Sequence, residues 1–477
     1  MLKHKLLFFL FFCGFTSVEA QEVWGLEKCI EYALENNIQI KQTELQLQLN
    51  QINQERNLGA FLPILNANAS HGYNWGQTID PFTNQFATER IRSNSLGIGT
   101  NMNIFNGFQN HINLKQGKTN LIAAQADLEA MMNDISLQVA NAYLNVLFNQ
   151  EFVRIAEANL NGTNEQLDRI QKLVDAGAAP RGNLYDIQSQ AATDQASLIS
   201  AENNLKLAQL SLAQLLQLSG NDLKIQIESP AIDNLRGMNF PGSSTEVITH
   251  ATSNLPQMKS ARAGVLSADQ GVQLSKTAMY PNISVSFNYG TGYSGNNRQP
   301  IGDLIFEGNT EIGFVDGTNE IVLAPSFGFD EFKTKPFQDQ LSDNINSSLF
   351  FRMTIPIFNG FNTKANISQA KVQQLQADYA LVQAEQQLVQ DVERAYADAI
   401  AAKNNYEASE KSLNAAQTAF EYAEVQYEAG SINLADYTTS RIRKDNANAD
   451  LIRNKYDYLF RVKVLEFYNG NQLTLNR

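Results

Sequence analysis

Apolar and polar residues alternate in four short stretches of the chain. In 63–75 the apolar set is Leu65, Ala67, Ala69, Tyr73 and Trp75, with Asn66, Asn68, Ser70 and Asn74 between them. In 94–105, Leu96, Ile98, Met102 and Ile104 alternate with Ser95, Gly97, Gly99, Asn101 and Asn103. In 281–291, Ile283, Val285, Phe287 and Tyr289 alternate with Asn282, Ser284, Ser286 and Asn288. In 346–358, Leu349, Phe351, Met353, Ile355 and Ile357 alternate with Ser348, Arg352 and Thr354, and Phe350 breaks the pattern. A period of two puts one class of side chain on each face of a β-strand. Each run is about ten residues, the length that crosses a bilayer as a tilted strand. One such run would suit a half-buried soluble sheet. Four of the same length point to a membrane β-barrel.

Elsewhere the period lengthens. Val392, Ala395, Ala399, Ala402, Tyr406, Ser409, Leu413, Ala416, Phe420, Ala423 and Tyr427 follow spacings of three and four, a heptad seam of mostly small residues. Residues 361–429 contain neither Gly nor Pro, and no proline follows Pro356. Proline breaks helix interiors, so long helices are predicted over about 108–176 and 361–429, with shorter partners over about 183–218 and 433–469. A helix over 361–429 would be roughly 100 Å long at 1.5 Å per residue. No compact globule holds such a rod; a stalk or the wall of a helical tube does.

The chain also repeats itself. Ile104-Phe105-Asn106-Gly107-Phe108 recurs as Ile357-Phe358-Asn359-Gly360-Phe361, and the same offset aligns Ala142-Tyr143 with Ala395-Tyr396 and Gly177 with Gly430. Matches at a constant offset over long tracts mark a duplicated unit. Repeat unit 1 is expected over 21–220 and repeat unit 2 over 243–477, joined by a linker over 221–242 that carries Pro230, Gly237, Pro241 and Gly242. Each unit reads helix, strand, strand, very long helix, turn, long helix. Unit 2 carries an insertion over about 293–345, with nine acidic and three basic residues and many Phe and Gly. It is expected as a long loop outside the cell, over the barrel mouth or against an extracellular partner.

Residues 1–20 read as a secretory signal peptide: Lys3 and Lys5, the apolar run Leu6 to Phe12, then Val18-Glu19-Ala20, so the mature chain is expected to begin at Gln21. Cys13 falls inside it, and bulky Phe12 argues against lipid attachment there. Cys29 lies one helical turn from Leu26 and Ala33, as a core thiol does. No segment has 18 consecutive apolar residues, so any crossing of a membrane must be by β-barrel. The formal charge of -13 excludes a nucleic-acid binder of the usual basic kind. Asn and Gln number 91 of 477 residues, so the chain is polar without being highly charged. No nucleophile–base pair, zinc spacing or phosphate loop appears; His71, His111 and His250 stand apart. An enzyme is not expected, nor a cofactor or metal.

Four strands cannot close a membrane barrel, which needs at least eight. Open edges in lipid leave backbone groups unpaired. The chain must therefore assemble into 8, 12 or 16 strands; eight would fill the interior with side chains, and three copies, the preferred count, would supply 12 around a lumen lined by Asn, Ser, Thr and Gly. The alternative, a periplasmic coiled-coil adaptor or stalk without a pore, has no need of four lipid-length strands. A general diffusion porin has no need of the rods.

With these features the sequence resembles the TolC-like outer-membrane efflux protein family over nearly all of the mature chain. The Asn106-Gly107 and Asn359-Gly360 motifs resemble that family's strand-to-helix signatures, and the Ala-Gly turns at Gly177 and Gly430 its helix tips. The resemblance implies an α+β membrane protein, mainly α: a homotrimer with a shared 12-stranded barrel in the outer membrane, a helical barrel in the periplasm and a belt around its middle. It implies passive export of drugs or other cargo, as the exit duct of a tripartite efflux or type I secretion system. The implied partners are a periplasmic adaptor, which would meet the tips, and an inner-membrane transporter. It further implies a periplasmic gate formed by a tyrosine three residues before the tip glycine and aspartates six and nine after it. Tyr427 and Asp436 match; Thr439 replaces the second aspartate, and Ile432 stands where the family has arginine. Asp186 is the implied counterpart in the first tip.

Overall fold

The computed structural model describes residues 23–471 except 81, 85, 88, 89, 219–225 and 229–241. The signal segment lies outside the described residues, as does the linker apart from 226–228 and 242. In chain order the elements are β1 Val23–Trp24, α1 Leu26–Asn36, α2 Ile38–Gly59, β2 Ile64–Asn74, β3 Thr78–Ile79, β4 Phe86–Ala87 and β5 Ile91–Asn106. Then come α3 Gln109–Asp175, α4 Arg181–Leu215, β6 Gln226–Ile227, α5 Ser244–Asn254 and α6 Pro256–Lys276. The rest are β7 Asn282–Ser294, β8 Arg298–Pro300, β9 Leu304–Phe314, β10 Ile321–Phe329, β11 Phe332–Thr334, α7 Phe337–Asp343, β12 Asn346–Thr354, α8 Asn362–Glu428 and α9 Leu434–Tyr468.

Two compact units emerge, one of residues 52–118 and 268–374 and one of the remainder. In the first, β12, β7, β5 and β2 form an antiparallel sheet in that order. The register joins the four alternations. Leu65, Thr100, Phe287 and Leu349 lie in one row across the sheet, while the neighbouring row is Asn66, Gly99, Asn288 and Ser348. Paired residues share a face, so the apolar positions collect on one side and Asn, Gly and Ser on the other. Phe350 pairs with Ser286 on the polar side. The apolar side is bare in one copy: Leu65, Leu349 and Phe351 are 58–70% exposed. Strand β5 runs longer than its alternation, and β12 stops at Thr354, before Pro356.

The insertion is folded rather than a loop. Strands β9 and β10 form a hairpin and β8 pairs with β11 below it. Helix α7 is fixed to the end of β7, because the Gln340 amide accepts from Ser294 N at 2.9 Å and donates to Ser294 O at 3.0 Å. The sequence hides this hairpin because two bulges break the register and interrupt the alternation along β9.

Helices α3 and α8, which begin in the sheet unit and run on into the helical one, each hold 67 residues, and α4 and α9 each hold 35. The first helix of each repeat is broken, by different chemistry. Asn37 is extended at ψ 129° and its side chain caps α2 by accepting from Gln39 N at 2.9 Å. In the second repeat Pro256 opens α6, and the extended Leu255 before it ends α5. The main core gathers Leu26, Cys29, Ile135, Val139, Tyr143, Leu147, Leu212, Leu459 and Val462. The Tyr143 hydroxyl there donates to Glu228 O at 2.7 Å, beside the parallel β1–β6 pair. Part of the linker is thus a strand sewn to the start of the described chain.

Candidate functional site

Each long helix ends in the same way. Gly177 and Gly430 take φ of +72° and +73°. In the first turn Gly177 N donates to Val174 O and Ala178 N to Leu173 O; in the second Gly430 N donates to Tyr427 O and Ser431 N to Gln426 O. This double bond closes a helix with a left-handed residue, which glycine adopts without steric penalty. No atom lies within 4 Å of a side chain that either glycine might carry, so conformation and not space selects glycine. The turns then diverge. Pro180 precedes α4 without a side-chain cap, whereas Asn433 caps α9 by accepting from Asp436 N at 2.9 Å.

Above the turns the two helical hairpins share a small core of Ile170, Ile187, Leu434 and Tyr437, with Phe420 and Tyr427 packed on it. Tyr427 stacks on Tyr437 at 4.9 Å and 30°. The Tyr437 hydroxyl accepts from Gln166 Nε2. Burial raises the pKa of both tyrosines above the ordinary phenol value, so both hold their protons at neutral pH.

One turn further up, the packing becomes ionic. Arg441, 6% exposed, places Nη2 3.0 Å from Asp194 Oδ2 and donates from Nη1 to Thr163 Oγ1 at 2.5 Å. Thr163 also bonds Asp194, and Gln190 Nε2 donates to Asp194 Oδ1 at 2.8 Å. Asp445 stands 3.9 Å from Arg441 Nε, and Lys444 lies 3.3 Å from its other oxygen. Desolvation raises the pKa of Asp445 against the pull of Lys444 and Arg441. Helices α3, α4 and α9 are therefore clamped by one desolvated arginine. Beside it a cleft of about 450 Å³ is lined by Glu165, Arg169, Glu424, Glu428 and Lys444 among others.

The sequence-derived gate residues fall around this clamp and not in it. Tyr427 belongs to the small core. Asp436 sits exposed in the first turn of α9, and Asp186 is exposed on α4; among the described residues neither has an ion pair. Arg441, Asp194 and Thr163 were not singled out by the sequence. A signal existed: Thr163 lies seven residues from both Ala156 and Ile170, Asp194 seven from both Ile187 and Ala201, and Arg441 seven from Leu434. All three are polar intruders on buried heptad stripes.

The strand-to-helix motifs show a second repeated device, in the sheet unit. Gly107 and Phe108 both take left-handed φ, +63° and +67°, as do Gly360 and Phe361, +64° and +65°. Phe105 and Phe108 meet edge to face at 5.1 Å, and Phe358 and Phe361 do so at 5.4 Å. The Asn106 side chain bonds Asn110, and the Asn359 side chain bonds Thr363, at the start of each long helix. Phenylalanine in a left-handed conformation is strained, and it occurs here twice at matching positions.

A sheet with one apolar and one polar face, followed in each repeat by such a motif and a long helix, has the strand lengths and patterning of an outer-membrane protein. The chain belongs to the outer membrane efflux protein family, whose sequence profile matches residues 29–217 and 247–471. By the family's description, its members are efflux proteins of the outer membrane. It is 21% identical over 291 residues to the outer membrane efflux protein BepC of Brucella suis, covering 61% of this chain and 53% of BepC. It is 26% identical over 174 residues to the pyoverdine export outer membrane protein OpmQ of Pseudomonas putida, covering 36% of each chain. The chain thus spans about half or less of the length of these relatives. Its fold is similar to that of CusC, with a TM-score of 0.74, 17% identity and coverage of 94% of this chain and 92% of CusC. It is also similar to VceC of Vibrio cholerae, at 0.71, 16% identity, and 94% and 96% coverage.

Proposed function

We propose that three copies form one exit channel across the outer membrane, passively conducting drugs or other cargo from a tripartite efflux or type I secretion assembly to the outside. The observation that carries this reading is the four-stranded sheet with one apolar face and two open edges, β2 and β12. Unpaired edge groups cost several kcal/mol each in hydrocarbon, and pairing β2 of one copy with β12 of the next removes every edge once the ring closes. Twelve strands leave a water-filled lumen, and the Asn66–Gly99–Asn288–Ser348 row would face it. The partners in this reading are a periplasmic adaptor at the Gly177 and Gly430 tips and the inner-membrane transporter behind it. Tyr427, Asp436 and Asp186 would narrow the periplasmic entrance, with the Arg441 clamp holding the two helical hairpins together. Residues 293–345 would lie outside the cell.

Mass measurement of the detergent-purified chain, followed by planar-bilayer recording, tests this. A particle of three chains with stable single-channel current is expected. A folded monomer without conductance would overturn it.

A further inference from the structure

Hairpin β9–β10 is two-faced. Along β10 the residues Ile321, Leu323, Pro325, Phe327 and Phe329 alternate with Val322, Ala324, Ser326 and Gly328. The register carries this onto β9: Phe314 opposes Ile321, Phe306 opposes Phe327 and Leu304 opposes Phe329, whereas Thr310 opposes Ala324 and Gly308 opposes Ser326. One face is therefore bulky apart from Asn309 and Glu311, and the other is mostly small, with Val322 and Ile305 its larger residues and the Glu307 carboxylate lying over Gly328. Phe306 and Phe327 touch edge to face at 5.7 Å, yet Leu304, Phe306, Phe314, Leu323, Phe327 and Phe329 are all 40–65% exposed. That is several hundred Å² of bare apolar surface, about the largest patch a soluble surface carries. A two-stranded hairpin in water is marginal by itself, so something covers it.

We propose that the cover is a second copy of the same hairpin: the three hairpins of the channel pack head to tail, the bulky face of each on the small face of the next. This rests on the trimeric reading above. A closed threefold ring needs a heterologous contact, that is, two different and complementary patches on each chain. The hairpin has such a pair. Its base is continuous with the subunit edge, since β8 follows β7 after three residues and β11 leads through α7 into the edge strand β12. The amides of Gln340 and Asn344 fasten that base to β7. Three hairpins so anchored meet at millimolar effective concentration. Glu311 opposes Leu323 within the bulky face, which disfavours burial in hydrocarbon. The Thr310 and Ser326 hydroxyls of a neighbour's small face offer it donors.

The test places the photo-crosslinker p-benzoylphenylalanine at Leu323, and separately at Ala324, in the full chain purified in detergent with added outer-membrane lipid. Irradiation should give covalent dimers and trimers on denaturing gels. Links from position 323 should map to 310, 322, 324 and 326 of another chain, and links from 324 to the bulky face. Links from 323 that map to the bulky face show like faces meeting and overturn head-to-tail packing. Adducts only on lipid, or no links in a particle of three chains, overturn the proposal. A particle that does not weigh three chains overturns the trimeric reading instead.

Discussion

Arg441 and Asp194 lie 247 residues apart in sequence, and their charged groups meet at 3.0 Å with about a tenth of each side chain exposed. Removing one partner of such a pair strands a buried charge, which typically costs about 3–5 kcal/mol, whereas replacing both by apolar residues is often neutral. Arg441→Ala should therefore lower the thermal stability of the purified particle and raise its single-channel conductance by loosening α9 from α3 and α4. Arg441→Leu combined with Asp194→Leu should recover most of the stability. Equal losses in the single and double variants, read by melting followed with circular dichroism, would deny the clamp its role.

Asp436 is exposed at the start of α9, and three copies around an axis would concentrate negative charge. Asp436→Asn should weaken block of the current by multivalent cations in planar bilayers. Unchanged block and selectivity would remove Asp436 from the entrance and leave it as a first-turn acid at the positive end of α9.

The two Asn-Gly-Phe motifs differ in their surroundings. A Cβ on Gly107 would lie 2.6 Å from Thr277 O and 2.8 Å from Tyr280 Cβ, while one on Gly360 meets nothing within 4 Å. Both substitutions carry the left-handed penalty of roughly 1–3 kcal/mol, but only Gly107→Ala also forces backbone apart. Gly107→Ala should lose much more heat-stable assembled protein than Gly360→Ala, measured by mobility of unheated samples on denaturing gels. Equal losses would show that φ alone decides.

Burial pushes the Cys29 thiol up to about 12, more than Lys28 beside it can lower it. The thiolate is the reactive form, so at pH 8 the folded chain should resist iodoacetamide and become labelled only on unfolding. Labelling of the native protein at the rate of an unfolded thiol would show that α1 is not packed as described.

Much of this fold was legible because the two periods of the sequence are pure where packing is repetitive. Leu65, Phe287 and Leu349 announce a strand face, and Ala395, Ala399 and Ala402 a helix seam, without knowledge of their partners. The clamp was not legible, since Thr163, Asp194 and Arg441 come from three helices and each alone reads as a solvated polar residue; only their heptad register betrays burial. Hairpin β9–β10 was missed because the alternation of β10 is half hidden in Gly and Pro. The breaks at Asn37 and before Pro256 were both missed, because each repeat reads as opening on a single helix and one asparagine or proline leaves little mark on the pattern.

The strand order β12, β7, β5, β2 leaves one margin of the sheet to each repeat. If every β2 meets a neighbouring β12, the wall becomes six hairpins in rotation, with the two repeats alternating as staves do in a cask. A threefold particle then approximates sixfold symmetry, and an alteration confined to one repeat is felt at every second stave.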